Sequence, residues 1–198
     1  MPYPVTFEVE YVERRNRLTA FFRLILAIPV FIWLYLYGIA AYIAVVIAWF
    51  AIVITARYPR ALFDFVSGFN RTLARSTAYF ALLCDPYPPF SGADDPDYPV
   101  RMEFAGPIES YSRLKTLFRL LLAIPIAILR YVMNILLEIG ALGAWVVIVI
   151  TGKLPRGLFD LMVLANSYMA RSDAYLLLLT ETYPPFQDEQ TRAAGAAL

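Results

Sequence analysis

The stretch from Leu24 to Thr55 reads LILAIPVFIWLYLYGIAAYIAVVIAWFAIVIT and carries no charged residue. Only Pro29, Gly38 and Thr55 interrupt the apolar and aromatic run. One straight helix of that length would reach about 48 Å, against about 30 Å of hydrocarbon in a bilayer. Tilt absorbs such a mismatch poorly. The sequence therefore predicts a transmembrane helical hairpin over 17–55. Asn16 caps its start, the first leg runs to Tyr37, the chain turns at Gly38, where positive φ is free of strain, and the second leg returns from Ile39 to Thr55. Backbone polar groups in lipid must pair internally, which leaves helices as the structure for an open chain of this size. The N-terminal residues alternate in polarity, so the first hairpin is expected to insert as an uncleaved segment.

The stretch from Leu114 to Thr151 reads the same way, with a hairpin over 113–151 and its turn at Asn134, a residue that tolerates the left-handed region. Arg130 and Glu138 flank that turn. With Asn134 they form an expected polar cluster at the hairpin tip, paired in the far headgroup layer. In the sharper alternative they lie within the membrane and mark an ion path.

The two stretches belong to an internal duplication. Tyr3-Pro4-Val5 recurs as Tyr98-Pro99-Val100, Phe22-Arg23-Leu24 as Phe118-Arg119-Leu120, and Leu26-Ala27-Ile28-Pro29 as Leu122-Ala123-Ile124-Pro125. Ile52-Val53-Ile54-Thr55 recurs as Ile148-Val149-Ile150-Thr151, and Tyr87-Pro88-Pro89-Phe90 as Tyr183-Pro184-Pro185-Phe186. The offset is 95 at the start and 96 afterwards. Repeat 1 covers 1–90 and repeat 2 covers 98–186, joined by the acidic linker 91–97 and followed by a polar tail over 187–198. Each repeat opens on an alternating stretch with strand periodicity, Val5, Phe7 and Val9 in the first and Val100, Met102 and Phe104 in the second. After the hairpin come helices over 59–83 and 155–179, each with Pro at its first position, then the extended Tyr-Pro-Pro-Phe segment.

In the first of these helices Arg60, Asp64, Ser67, Arg71 and Arg75 fall on one stripe at spacings of 4, 3, 4 and 4. That pattern suits an amphipathic helix in the membrane interface. A third crossing is the competing arrangement, and it would place Asp64, Asn70, Arg71 and Arg75 in lipid at about 2.5–3.5 kcal/mol per charge. Two crossings per repeat give parallel tandem repeats. They leave every Lys and Arg except Arg130 on one side, Arg192 of the tail included, which the positive-inside rule makes cytoplasmic. The expected fold is an all-α integral membrane protein with short β-strands, multi-pass in the plasma membrane, its termini, strands and amphipathic helices on the cytoplasmic side.

Composition narrows the chemistry. The 198 residues are 60% apolar and 17% charged, with a net charge of +1, no His and one Cys. No charge excess calls for nucleic acid. The lack of His removes Ser/His/Asp and Cys/His catalysis and most zinc or haem sites, and a single Cys removes internal disulfides. No phosphate-cradling glycine motif occurs, so no cofactor is expected. Cys84 reads as inert, with acylation weakly signalled. Trp49, Trp145, Tyr35, Tyr37 and Tyr131 read as belt or packing residues, and Pro29 and Pro125 as kinks in the first legs.

The residues shared by both repeats are the candidates for lipid-headgroup or partner contact: Arg23, Arg60, Asp64, Asn70 and Arg75, with Arg119, Arg156, Asp160, Asn166 and Arg171. Paired arginines suit phosphate. The plainer reading is i,i+4 salt bridges and snorkelling side chains. Three roles follow. The first is a non-catalytic accessory, scaffold or lipid-organising component, with lipids, other membrane subunits or a second copy as partners. The second is a small transporter or oligomeric channel using Arg130, Asn134 and Glu138. The third is a lipid-modifying enzyme with Asp64 or Asp160 as base beside Arg75 or Arg171.

The string Phe-Arg-Leu-x-Leu-Ala-Ile-Pro, Ala-Trp, Ile-Thr-(Ala/Gly)-(Arg/Lys)-x-Pro-Arg-x-Leu-Phe-Asp, then Tyr-Pro-Pro-Phe resembles the uncharacterised bacterial membrane family called domain of unknown function 4389. Both copies match, at about Tyr3–Phe90 and Tyr98–Phe186. The resemblance implies a prokaryotic membrane protein and carries no activity with it. Arg130, Asn134 and Glu138 depart from the first copy, which has Leu34, Gly38 and Tyr42 there.

Overall fold

The computed structural model describes residues 3–186; the tail over 187–198, with Arg192, lies outside the described residues. The element order is β1 (Val5–Val9), α1 (Arg17–Phe21), α2 (Arg23–Thr55), α3 (Arg60–Phe80), β2 (Val100–Phe104), α4 (Arg113–Leu117), α5 (Arg119–Thr151) and α6 (Arg156–Leu176). Asn16 caps α1 as its sequence position predicts, its side chain accepting from the N–H of Leu18 at 3.0 Å and of Thr19 at 3.3 Å. Ser112 caps α4 in the same way. The strands fall where the alternation places them, and they pair antiparallel with each other, Phe7 opposite Met102 at the centre.

Neither predicted hairpin forms. α2 and α5 are single helices of 33 residues that run straight through Gly38 and Asn134. Gly38 is a helical contact residue: a Cβ there would lie 3.6 Å from the Phe69 ring. It continues a stripe of small buried residues, Ala41, Ala44 and Ala48, along the face that α2 turns to α3. Asn134 is helical too, and donates to Glu138 one turn on at 2.6 Å. The chain reverses later, at Ala56 (φ 58°) and Gly152 (φ 72°), left-handed caps whose N–H groups bond Ile52 and Ile148. The hairpin prediction assumed an axis along the membrane normal. A helix in another orientation has no such limit on its length.

The repeats are interleaved, not side by side. α2 packs on α3, α5 on α6, and α3 on α6, while α1 of the first repeat packs on α5 and α4 of the second packs on α2. The ties are reciprocal: Arg15 N–H donates to Gly152 O (2.9 Å), and its counterpart Tyr111 donates to Ala56 O (2.8 Å). Phe21, next to the start of α2, stacks on Trp145 near the end of α5. Trp49, near the end of α2, donates from Nε1 to Thr116 O in α4, just before α5 begins. α2 and α5 therefore point in opposite directions.

α3 and α6 form the middle layer. Phe69 of α3 meets α2, whereas Arg71, two residues on, donates from Nε to Met102 O of β2 at 2.9 Å. Two residues span about 200° of helix, so α2 and the sheet lie on opposite sides of α3. The loop after α3 closes tightly, because a Cβ on Gly92 would sit 2.7 Å from the backbone of Gly68. Gly92→Ala is expected to destabilise the protein by about 1–3 kcal/mol. Gly143→Ala, in α5 with no atom within 4 Å of the added methyl, should stabilise by up to about 1 kcal/mol. Thermal unfolding in detergent checks both; equal midpoints for the two variants would contradict the close Gly68–Gly92 approach.

Candidate functional site

The ten residues shared by the repeats divide into two sets. Arg23 is 2% exposed, its guanidinium lies 4.0 Å over the Tyr79 ring, and it pairs with Asp85 at 3.0 Å. Arg119 repeats the arrangement over Tyr175 at 4.0 Å and donates to Thr180 O. Arg75 is wholly buried and donates to Val100 O and Ala93 O. Arg171 is buried and donates to Ser167 O and Oγ. Asn70 and Asn166 are buried where α3 and α6 meet, Asn70 donating to Ala170 O at 3.3 Å. These six hold the fold together and are closed to the bulk headgroup layer, while Asn166 also lines an internal cavity. Their stripe is covered by the sheet, the linker and the other repeat, not by an interface.

Arg60 with Asp64 and Arg156 with Asp160 are exposed i,i+4 pairs at 3.3 and 3.0 Å. Such pairs are worth a few tenths of a kcal/mol, roughly, and they remain open to a headgroup or partner. Asp64 and Arg75 are eleven residues apart on one helix, about 16 Å along its axis, so these two do not sit side by side. Cys84 is 1% exposed beside the Tyr98 hydroxyl at 3.4 Å. Burial pushes its thiol up, against reactivity or acylation.

Arg130, Asn134 and Glu138 mark no hairpin tip. They lie on consecutive turns of α5 and line a cavity of about 410 Å³ between α2 and α5, floored by α3 and α6. Arg130 pairs not with Glu138 but with Asp173 of α6, one guanidinium nitrogen reaching both carboxylate oxygens at 3.0 and 3.2 Å. Asp173, Ser76 and Thr77, none of them among the sequence-predicted residues, line it as well, together with Asn166 and Tyr35. The signal for the ion pair was in the duplication. Repeat 1 has Leu34 and Thr77 where repeat 2 has Arg130 and Asp173, a coupled change from an apolar–hydroxyl pair to an ion pair. Among the described residues no three His, Cys, Asp or Glu side chains group to hold a metal ion.

Among the described residues, fold and site define an interleaved, duplicated helical protein with two helices long and apolar enough to cross a membrane and a cavity between them that holds the Arg130–Asp173 pair. A family model described as Domain of unknown function (DUF4389) matches residues 17–92 and 113–187, and the chain belongs to this family, in two tandem copies. No curated protein and no solved structure matches it.

Burial pushes the Asp173 carboxyl up to about 6, against the opposing pull of Arg130. A carboxyl raised on folding binds its proton more tightly in the native state, so its contribution is complete below about pH 4 and is lost as pH rises through 6. The fall is on the order of 3 kcal/mol for a shift of roughly two units. Asp173→Asn should flatten the stability profile between pH 4 and 7. Arg130→Leu should cost about 2 kcal/mol or more at pH 7 by stranding the carboxylate, and Arg130→Leu with Asp173→Thr, the repeat 1 pair, should recover most of it. Chemical denaturation of these proteins and of Asp173→Thr across pH closes the cycle; additive losses in the double variant would contradict the pairing.

Proposed function

We propose that the protein is a non-catalytic membrane component, an accessory, scaffold or lipid-organising subunit, seated in one leaflet with α2 and α5 lying along the membrane plane. The observation that carries this reading is the apolar face of those two helices. Only 28% and 22% of their most apolar stretches are buried, whereas the core helix of a soluble domain would be mostly covered. Leu24, Ile32, Ile43, Leu120, Ile128 and Leu142 are all more than half exposed. A contiguous apolar surface of that extent marks a membrane or partner interface.

Orientation follows from the charges. The sheet packs beside Arg71 and Arg75, level with the middle of α2, since Phe69 of α3 lies against Gly38. Its outward side carries Glu8 and Arg101, paired at 3.3 Å and about half exposed, with exposed Glu103 beside them. If α2 stood across the bilayer, those charges would lie at mid-depth, at about 2.5–3.5 kcal/mol each even on lenient scales. With α2 and α5 in the plane, the sheet faces water and the long helices face hydrocarbon.

The basic residues support the same orientation. Exposed Arg14, Arg17, Lys153 and Arg156 gather where α2 begins and α5 ends, and exposed Arg57, Arg60, Arg113 and Lys115 at the opposite ends. Crossing helices would place one basic set on each side. In-plane helices place both at one headgroup layer, the cytoplasmic one by the positive-inside rule, where each cation adds about 1 kcal/mol of attraction to anionic lipid. Lipids, other membrane subunits or a second copy then cover the apolar face, and no nucleic acid is involved.

With Cys84 replaced by Ser, single cysteines at Arg17 and Arg57 bracket α2. Both should react with a membrane-impermeant maleimide in inverted vesicles and neither in intact cells; labelling from opposite sides would overturn the in-plane orientation. In mild detergent the native protein should migrate with other membrane subunits or with bound lipid. A lipid-free monomer of 22.5 kDa would contradict the accessory role.

A further inference from the structure

We infer that the cavity between α2 and α5 is a binding site for one neutral glycerolipid, its hydroxyl and ester head among the polar residues of α5, α3 and α6 and one acyl chain along the neighbouring apolar trough. The inference deepens the membrane reading, since the mouth of the site lies on the apolar face.

The first ground is unmet hydrogen-bonding capacity. Asn166 and Ser76 line the cavity at 1% and 2% exposure, and neither Asn166 Nδ2 nor Ser76 Oγ has a partner. Arg130 Nε is likewise buried and unpartnered, although its Nη2 holds Asp173. Each unmet buried polar atom costs about 1–3 kcal/mol, and all three can donate. A ligand that brings acceptor oxygens, such as ester carbonyls, meets that need.

The second ground is shape. The cavity shares Phe80, Glu138 and Ala141 with an apolar trough of about 550 Å³ lined by Leu24, Leu82, Leu142 and Trp145. A chamber with a few polar groups set in apolar walls, continuous with an apolar trough, fits an amphiphile with its head among those groups and a chain in the trough. The third ground is charge. Arg130, Asp173 and Glu138 carry a formal sum of −1 when all are ionised. A phosphate or carboxylate head would meet that excess in a poorly screened site, whereas a glycerol hydroxyl can donate to a carboxylate there.

The test uses the full chain in detergent micelles, so it does not depend on orientation in a bilayer and separates failure of this site from failure of the in-plane reading. Dioleoylglycerol and dioleoylphosphatidic acid are added singly and in competition, and retained lipid is counted by native mass spectrometry. Wild type should keep one dioleoylglycerol per chain and prefer it over the phosphatidic acid by about tenfold or more, equivalent to about 1.4 kcal/mol. Ala141→Phe, at the junction of the two chambers, should abolish retention. Glu138→Lys, an exposed position, changes the formal sum to +1 and should invert the preference. Equal or better retention of phosphatidic acid by wild type, no stoichiometric lipid, or retention unchanged in Ala141→Phe would each overturn the assignment.

Discussion

Everything in this architecture depends on α3 having two incompatible faces about half a turn apart. On one side Phe69 packs against an uncharged helix. On the other, the buried Arg75 and the half-buried Arg71 carry guanidinium groups that require oxygen acceptors, which β2 and the linker supply. A buried cation without such partners is far more costly than any single packing contact. The helix therefore cannot rotate to exchange its faces, and the molecule sorts into a charged side and an apolar side with α3 and α6 between them.

Duplication supplies what one repeat lacks. β1 has no partner within its own repeat and pairs with β2. The turn after α5 is held by Glu13 and Arg15, and the turn after α2 by Tyr111. A lone repeat would leave a strand edge, a helix terminus and a buried asparagine unpaired. Exchange of such elements between identical chains is a familiar route to dimers, and here the two copies are joined in one chain. Joining also lets the copies differ: the second has the Arg130–Asp173 ion pair where the first has Leu34 and Thr77.

Much of the local structure was legible. Asn16 announced a cap, the alternation of Val5, Phe7 and Val9 announced a strand, and prolines at 59 and 155 announced helices that begin at Arg60 and Arg156. Gly38 misled because glycine serves equally at a turn and at a close helix contact; which of the two it does depends on Phe69, 31 residues away in sequence. The stripe through Arg71 and Arg75 was correctly grouped, but periodicity reports which residues share a face and not what covers it. Arg23 and Arg119 hid for the same reason, since their aromatic and carbonyl partners come from the far end of α3 and α6. Arg130 was paired with Glu138 by proximity in sequence, while its partner lies 43 residues on in another helix.

The central claim is that the two 33-residue helices lie parallel to the membrane surface. Polarised infrared spectroscopy of the protein in oriented bilayers reads that angle directly from the amide I dichroism, because these helices dominate the helical signal. The account predicts an average helix axis close to the membrane plane. A dichroic ratio that sets the axis near the bilayer normal would contradict it.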